Sequence, residues 1–177
     1  ASLIAQRSKP SAFTAVFARA VGFLNDTKPA LGATTDRTAR LSGSQVVATV
    51  SERWSAAEFH TVVAQSRATL TALVPSQVHD LVAAGLHSPP SLRAIVVGGA
   101  RLEPALWIAA RGLGWPCLPS YGLTESCSQV ATAALSALQA SEYPAELPVL
   151  SHAEISAGED GRLSIRAASL LTCCAEF

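Results

Sequence analysis

Leu92–Ala100 (LRAIVVGGA) is a β-branched apolar run that stops on paired glycines, and its reading decides the fold. A short run of that composition, bounded by Ser88-Pro89-Pro90 before it and Gly98-Gly99 after it, has the length and content of a buried strand. Upstream, Thr69–Val74 is a second such run, halted by Pro75. Ser76 to Gly85 then reads as a helix with Val78, Leu81 and Val82 inward and Gly85 at its end. Before that, Gln45–Val50 (QVVATV) is a strand, and Ser55-Ala56-Ala57-Glu58 is a capping box opening a helix that carries Phe59, Val62 and Val63. Downstream, Glu103-Pro104 starts a helix whose apolar surface is Leu106, Ile108, Ala109 and Leu113. Gly112 and Gly114 end it, and Trp115–Pro119 is a short further strand.

Strand starts near 45, 69, 92 and 115 recur about every 23 residues, the span of a compact strand–helix unit. The expected class is therefore α/β: a mostly parallel sheet with flanking helices and right-handed crossovers. Residues 1–6 (ASLIAQ) suit one more strand, and Ser11–Leu24 a helix with Phe13, Val16, Phe17, Ala20, Val21 and Leu24 on one face. Residues 25–43 have no period. After Thr132 the chain turns alanine-rich and then loop-like through Tyr143-Pro144. His152–Ser156 and Arg162–Arg166 alternate in polarity around Asp160-Gly161, a β-hairpin signal. Residues 1–140 are thus expected to form the α/β part and residues 141–177 a small β-hairpin element.

The 177 residues carry 13 lysines and arginines against 13 aspartates and glutamates, a formal charge of zero. Nothing electrostatic favours nucleic acid or an anionic membrane surface. No apolar run approaches the ~18 residues that would suggest a membrane span. Cysteines 117, 127, 173 and 174 form no metal-ligand spacing and no disulfide framework, which fits a reducing, cytoplasmic compartment. The four histidines are scattered. Ser126 and Ser128 lack the glycine-flanked setting of a nucleophile elbow, so a hydrolase is not indicated. Methionine is absent. The chain opens on Ala1 and stops at Phe177 within an apolar pattern, which reads as a piece of a longer protein.

In a parallel sheet, ligands collect at the carboxyl ends of strands. Two segments fall there: Gly98-Gly99-Ala100 and Ser120-Tyr121-Gly122-Leu123-Thr124-Glu125-Ser126. Paired glycines let the backbone approach a flat ligand, and they also serve as plain tight turns. Tyr121 could stack on a base beside Gly122, Thr124 could reach a phosphate oxygen, and Glu125 is a hard donor suited to magnesium. Composition alone favours a blander account, a helix start with Thr124 as cap and Glu125 in the first turn.

Tyr121-Gly122-Leu123-Thr124-Glu125 resembles the Y-G-x-T-E signature of the adenylate-forming enzymes, the acyl- and aryl-CoA ligases and their relatives. Gly98-Gly99-Ala100 is similar to the adenine-side glycine segment of that family, and Leu73-Val74-Pro75-Ser76 to its V-P-T/S segment. Gly161-Arg162-Leu163-Ser164-Ile165-Arg166 is similar to its G-E-L-x-V/I-R/K strand. The likeness runs from about Leu41 to Leu171 in the family's order. Ser120–Val130 (SYGLTESCSQV) is most similar to the o-succinylbenzoate–CoA ligases of menaquinone synthesis.

The resemblance implies ATP, magnesium and coenzyme A. Gly98, Gly99, Ala100, Ser120, Tyr121, Gly122, Leu123 and Thr124 would line the nucleotide. Thr124 would meet the α-phosphate, and Glu125 would help hold Mg2+. The partners it implies are a small carboxylic acid, ATP and coenzyme A, and the chain is compatible with a homo-oligomer. The family's glycine-rich phosphate loop should follow the opening strand. Gln6-Arg7-Ser8-Lys9-Pro10 keeps a Lys-Pro pair but no glycines there. Thr172-Cys173-Cys174 stands where a glycine–aromatic pair is usual. The ribose-binding aspartate and the C-terminal lid domain with its lysine have no counterpart in these residues. Two expectations follow: part of an intact ligase, or a nucleotide-binding remnant without turnover.

Overall fold

The computed structural model describes residues 3–6, 45–48, 54–126 and 128–167. The helix expected over 11–24, the aperiodic stretch 25–43, residues 7–10 with their Lys-Pro pair, and residues 168–177 lie outside them. The strands are β1 (Leu3–Gln6), β2 (Gln45–Ala48), β3 (Leu70–Leu73), β4 (Ala94–Val97), β5 (Cys117–Leu123), β6 (Ser128–Thr132), β7 (Ala153–Ala157) and β8 (Leu163–Ala167). The helices are α1 (Ala56–Ser66), α2 (Pro75–Ala83) and α3 (Pro104–Gly112), with single 3-10 turns at Thr124–Ser126 and Leu135–Leu138.

A six-stranded sheet runs in the order β2-β1-β3-β4-β5-β6, and β7 pairs with β8 in a separate two-stranded sheet. The centre, β3–β4–β5, is parallel, as expected from strands joined by helical crossovers. The rims are not. β1 lies antiparallel between β2 and β3, and β6 returns antiparallel along β5. The strand at Gln45–Ala48 therefore runs in the direction of β3 but one place away from it, because β1 takes the place beside β3. The class is α/β with a mixed sheet.

Each described helix begins and ends for a local reason. Ser55 Oγ accepts from the Glu58 amide at 3.3 Å to open α1. Pro75, rather than halting β3 alone, is the first residue of α2, where its missing amide removes nothing. Gln77 Oε1 there accepts from the Val74 amide at 3.0 Å. All three helices close on a residue of positive φ: Arg67 (51°), Gly85 (62°) and Gly114 (82°). In each case the amide one residue further reaches back into the last turn, as Leu86 N does to Leu81 O at 3.1 Å and Trp115 N to Ala110 O at 3.0 Å.

The described helices share one face of the sheet. Phe59, Val63, Val78, Leu81, Ile95, Val97, Trp107, Ala110, Trp115 and Cys117 form that core. The other face holds a smaller cluster, Leu70, Ala72, Ala94, Val96, Leu118 and Ala133, covered by Ala137, Leu138 and Leu147. β3 and β4 are buried along their whole length, as two-sided strands must be. One helix face differs from the sequence expectation. α3 buries Trp107 and Ala110, whereas Ile108 is 58% exposed. The reason is Trp107, whose Nε1 donates to the Cys117 carbonyl at 3.0 Å and fixes the rotation of the helix.

Cys117 itself is buried, and burial pushes its thiol from 9.0 up to about 12, against a smaller downward pull from Arg111. An unfolded thiol ionises near 9.0, so the contribution of this group to stability is complete below pH 9 and is lost as pH rises from 9 towards about 12. Brief iodoacetamide treatment at pH 8 should leave Cys117 unmodified in the folded protein and modify it in urea, as read by peptide mass mapping. Labelling at the rate of a free thiol without denaturant would contradict the buried, protonated state.

Candidate functional site

β4 and β5 pair in parallel up to Val97 and Pro119, so their carboxyl ends leave the core side by side. β4 runs directly into Gly98. The Gly98 amide donates to Leu73 O at 3.1 Å, which draws the end of β3 into the same place. Gly99 has φ +81°, and a Cβ there would stand 3.2 Å from Val74 Cγ1. An L side chain is disfavoured by both conformation and space, so this turn remains bare backbone. Gly98 is buried, while Gly99 and Ala100 face outward.

β5 does not end at Pro119. Ser120 Oγ donates to the Val97 carbonyl at 2.9 Å, joining the two strand ends, and the strand continues through Tyr121 and Gly122 to Leu123. Thr124–Ser126 then make one 3-10 turn, and β6 returns along β5. The helix start that composition favoured, with Thr124 as cap, is not formed. Ser126 closes the turn instead. Its Oγ donates to Leu123 O at 2.9 Å, and it also receives the Leu123 amide at 3.4 Å. No apolar helical period follows Glu125, and residues 128–132 satisfy their backbone against β5.

The segment thus projects as a hairpin tip beyond the sheet. Tyr121 is 41% exposed, and Gly122 and Glu125 are exposed as well. The register shifts by one residue between Tyr121 and Gly122. Tyr121 faces Ala131, Gly122 faces Gln129, and Val130 is left between them. The bulge adds twist where β5 leaves the sheet. Gly98, Gly99 and Ala100 thus share the strand ends with Ser120, from which the tip carrying Tyr121 through Glu125 projects.

These residues suit a nucleotide and a magnesium ion. Gly99 and Gly122 offer backbone without side chains, Tyr121 a half-open aromatic face, and Glu125 an exposed carboxylate. No group of three or more His, Cys, Asp and Glu capable of holding a metal occurs among the described residues. Magnesium does not need one, since it is commonly held by one or two carboxylates together with phosphate oxygens and water.

Two residues that sequence reasoning passed over belong to the same hairpin. Gln129 Nε2 and Thr132 Oγ1 are buried and have no hydrogen-bond partner among the described residues. The signal for them is a pair of polar residues embedded in an otherwise small and apolar run, QVATAA at 129–134. No described helix is long and apolar enough to cross a membrane.

Comparison with known proteins gives consistent likenesses. The family model described as AMP-binding enzyme matches residues 38–166. A 2-succinylbenzoate–CoA ligase of Staphylococcus aureus (strain MSSA476) is 37% identical over 82 residues, which are 46% of this chain and 17% of that protein. The o-succinylbenzoate coenzyme A synthetase of Bacillus subtilis in complex with ATP and magnesium superposes with a TM-score of 0.68 at 20% identity. That match covers 92% of this chain and 38% of the solved one. The same enzyme with its acyl-adenylate intermediate gives 0.67 at 19% identity, covering 94% and 38%. At these identities the solved structures speak to the fold. The chain spans well under half the length of these relatives.

Proposed function

The chain belongs to the family of AMP-binding enzymes, and on that premise we propose that it carries the nucleotide-facing part of an adenylation site. The reaction is ATP-dependent activation of a carboxylic acid followed by thioester formation. A carboxylate oxygen attacks the α-phosphorus of ATP, the bond to the bridging oxygen breaks, and pyrophosphate leaves. The thiol of coenzyme A then attacks the acyl carbon and AMP leaves. The acid is an aryl acid of the o-succinylbenzoate type, as in the ligases this chain is similar to. Such an enzyme is an acid–thiol ligase working on water-soluble substrates in the cytoplasm.

The observation that carries the reading is the joining of the β4 and β5 ends by Ser120 and Val97. It sets the bare turn Gly98–Ala100 beside the exposed hairpin tip, at the edge where open α/β sheets bind ligands. Gly98, Gly99 and Ala100 line the nucleotide, with Ser120, Tyr121, Gly122 and Leu123 opposite. Tyr121 supplies a stacking face. Thr124 contacts the α-phosphate, and Glu125 holds magnesium, whose charge would screen the phosphates when bound. Residues 1–140 and 141–177 are then two parts of one adenylation domain. The work of the chain is positioning, since two reactants held in register lose most of their entropic barrier.

Exchange of labelled pyrophosphate into ATP tests the reading on the intact protein. Exchange that requires 2-succinylbenzoate and magnesium is expected. A protein that melts higher with ATP yet exchanges with no aryl or fatty acid would be a binding remnant, and the ligase reading would fall.

A further inference from the structure

Among the described strands, β6 is the last of the six-stranded sheet, and residues 148–150 run along its outer edge. The Thr132 amide donates to Pro148 O at 3.1 Å and the Leu150 amide to Val130 O at 2.8 Å, with Ala131 facing Val149 in one antiparallel bridge. This backbone strap then stops. The Ala153 amide donates to Leu150 O at 2.9 Å, so the chain turns through Ser151 and His152 and leaves as β7. The Gln129 carbonyl, one residue nearer the hairpin tip than Val130, is met by a side chain instead. His152 Nε2 donates to it at 3.1 Å, and because a carbonyl can only accept, Nε2 is a ring nitrogen that carries a proton. The histidine is half-buried at this contact. Its imidazole thus continues the strap by one step after the backbone has turned away.

The place of that step matters. The held carbonyl adjoins the register shift, where Val130 is the extra residue and the β5–β6 ladder is locally disrupted. Beyond it one further pair, Leu123 with Ser128, precedes the turn, and Ser126 closes the turn on Leu123. The tip is therefore tied within itself, and its direction is set at the bulge. We infer that His152 is a positioning residue for ATP binding: by holding the Gln129 carbonyl from outside, it fixes the bulge and hence the direction in which Tyr121 to Glu125 project. The inference rests on the adenylation reading and deepens it. His152 acts through the hairpin and not on a ligand. A tip freed from its outer hold spends part of its time turned away, and apparent affinity falls by the fraction that stays competent. Once the nucleotide is seated it holds the tip itself, so the chemical step is little altered.

The test compares His152→Phe, which keeps a ring and loses the donor, with His152→Gln, which keeps a donor at similar reach. In pyrophosphate exchange by the intact protein, His152→Phe should raise KM for ATP about 5–10-fold. Its kcat and its KM for 2-succinylbenzoate should stay within about twofold of the parent. His152→Gln should bring KM for ATP back to within about twofold. A merely structural loss would lower the active fraction, and so kcat, without singling out ATP. Amide hydrogen exchange read by mass spectrometry should quicken in His152→Phe across residues 120–132 and match the parent across residues 92–97. An unchanged KM for ATP in His152→Phe, unchanged amide exchange at the hairpin, or equal losses in both variants would overturn the role of His152 and leave adenylation standing. Absence of pyrophosphate exchange by the unaltered protein with any aryl acid would instead remove the adenylation reading and this inference together.

Discussion

Trp107→Ala is expected to cost about 3–5 kcal/mol of folding stability, a large share of what a domain has in total. Trp107 is fully buried in the helix-side core. Its ring carries the Arg111 guanidinium at 4.5 Å on one side and meets Tyr143 edge-on at 5.8 Å. Its Nε1 is the donor to Cys117, the first residue of β5. Arg111 in turn donates to the Ala137 and Leu138 carbonyls at 3.3 and 2.9 Å, at the end of the second 3-10 turn. Truncation would therefore empty a cavity between α3 and the sheet and also release Arg111 from its platform. Trp107→Phe keeps most of the volume and loses the hydrogen bond, for roughly 1–2 kcal/mol. Urea unfolding followed by circular dichroism gives both values. A change below about 1 kcal/mol for the alanine variant would show that the packing around β5 does not depend on this ring.

Glu125→Gln is expected to slow pyrophosphate exchange about 10²–10³-fold, the usual scale for losing one charged group that acts on a phosphoryl transition state. The substitution keeps shape and removes charge. Because Glu125 is exposed at the hairpin tip, stability should stay within about 0.5 kcal/mol of the parent. A steeper requirement for magnesium should accompany the slower rate if Glu125 is, as proposed, a ligand of the ion. Exchange within threefold of the parent at every magnesium concentration would remove Glu125 from the proposed metal site.

Much of the sheet's centre was legible because β3, α2 and β4 write their burial into composition, whereas α3 was legible as a helix but not in the face it buries, Trp107 and Ala110. The apolar runs at 70–73 and 94–97 are buried throughout, and Pro104 marks a helix start, while Pro75, read as the end of a strand, is itself the first residue of α2. The hairpin of residues 153–167 was legible from its alternation and its Asp160-Gly161 turn, with ends displaced by one residue. β6 was not. Ser128-Gln129-Val130-Ala131-Thr132 contains little β-branched bulk, and its strand character comes from pairing with β5. The same gap hid the extension of β5 past Pro119, since Ser-Tyr-Gly reads locally as a turn. The neighbour of β2 was equally illegible, because four residues of strand pattern specify a face and not a partner. In the candidate site, both glycine segments could be located from sequence. Gln129 could not, because a polar residue in an apolar run shows its meaning only when its partners can be counted.

β1 has a consequence for how the protein assembles. β3, β4 and β5 are stitched by short crossovers, so each strand finds its neighbour after closing a modest loop. Among the described residues, β1 instead meets β3 through two facing pairs, Ile4 with Thr71 and Ala5 with Leu70, between segments far apart along the chain. Long loops close slowly and at greater entropic cost. The three parallel strands and their helices are therefore expected to fold first, with β1 and β2 joining afterwards, as φ-values near zero for substitutions in β1 would show. The strand ends that carry the candidate site belong to that first-folding part, so the frame of the site should not depend on β1 being in place.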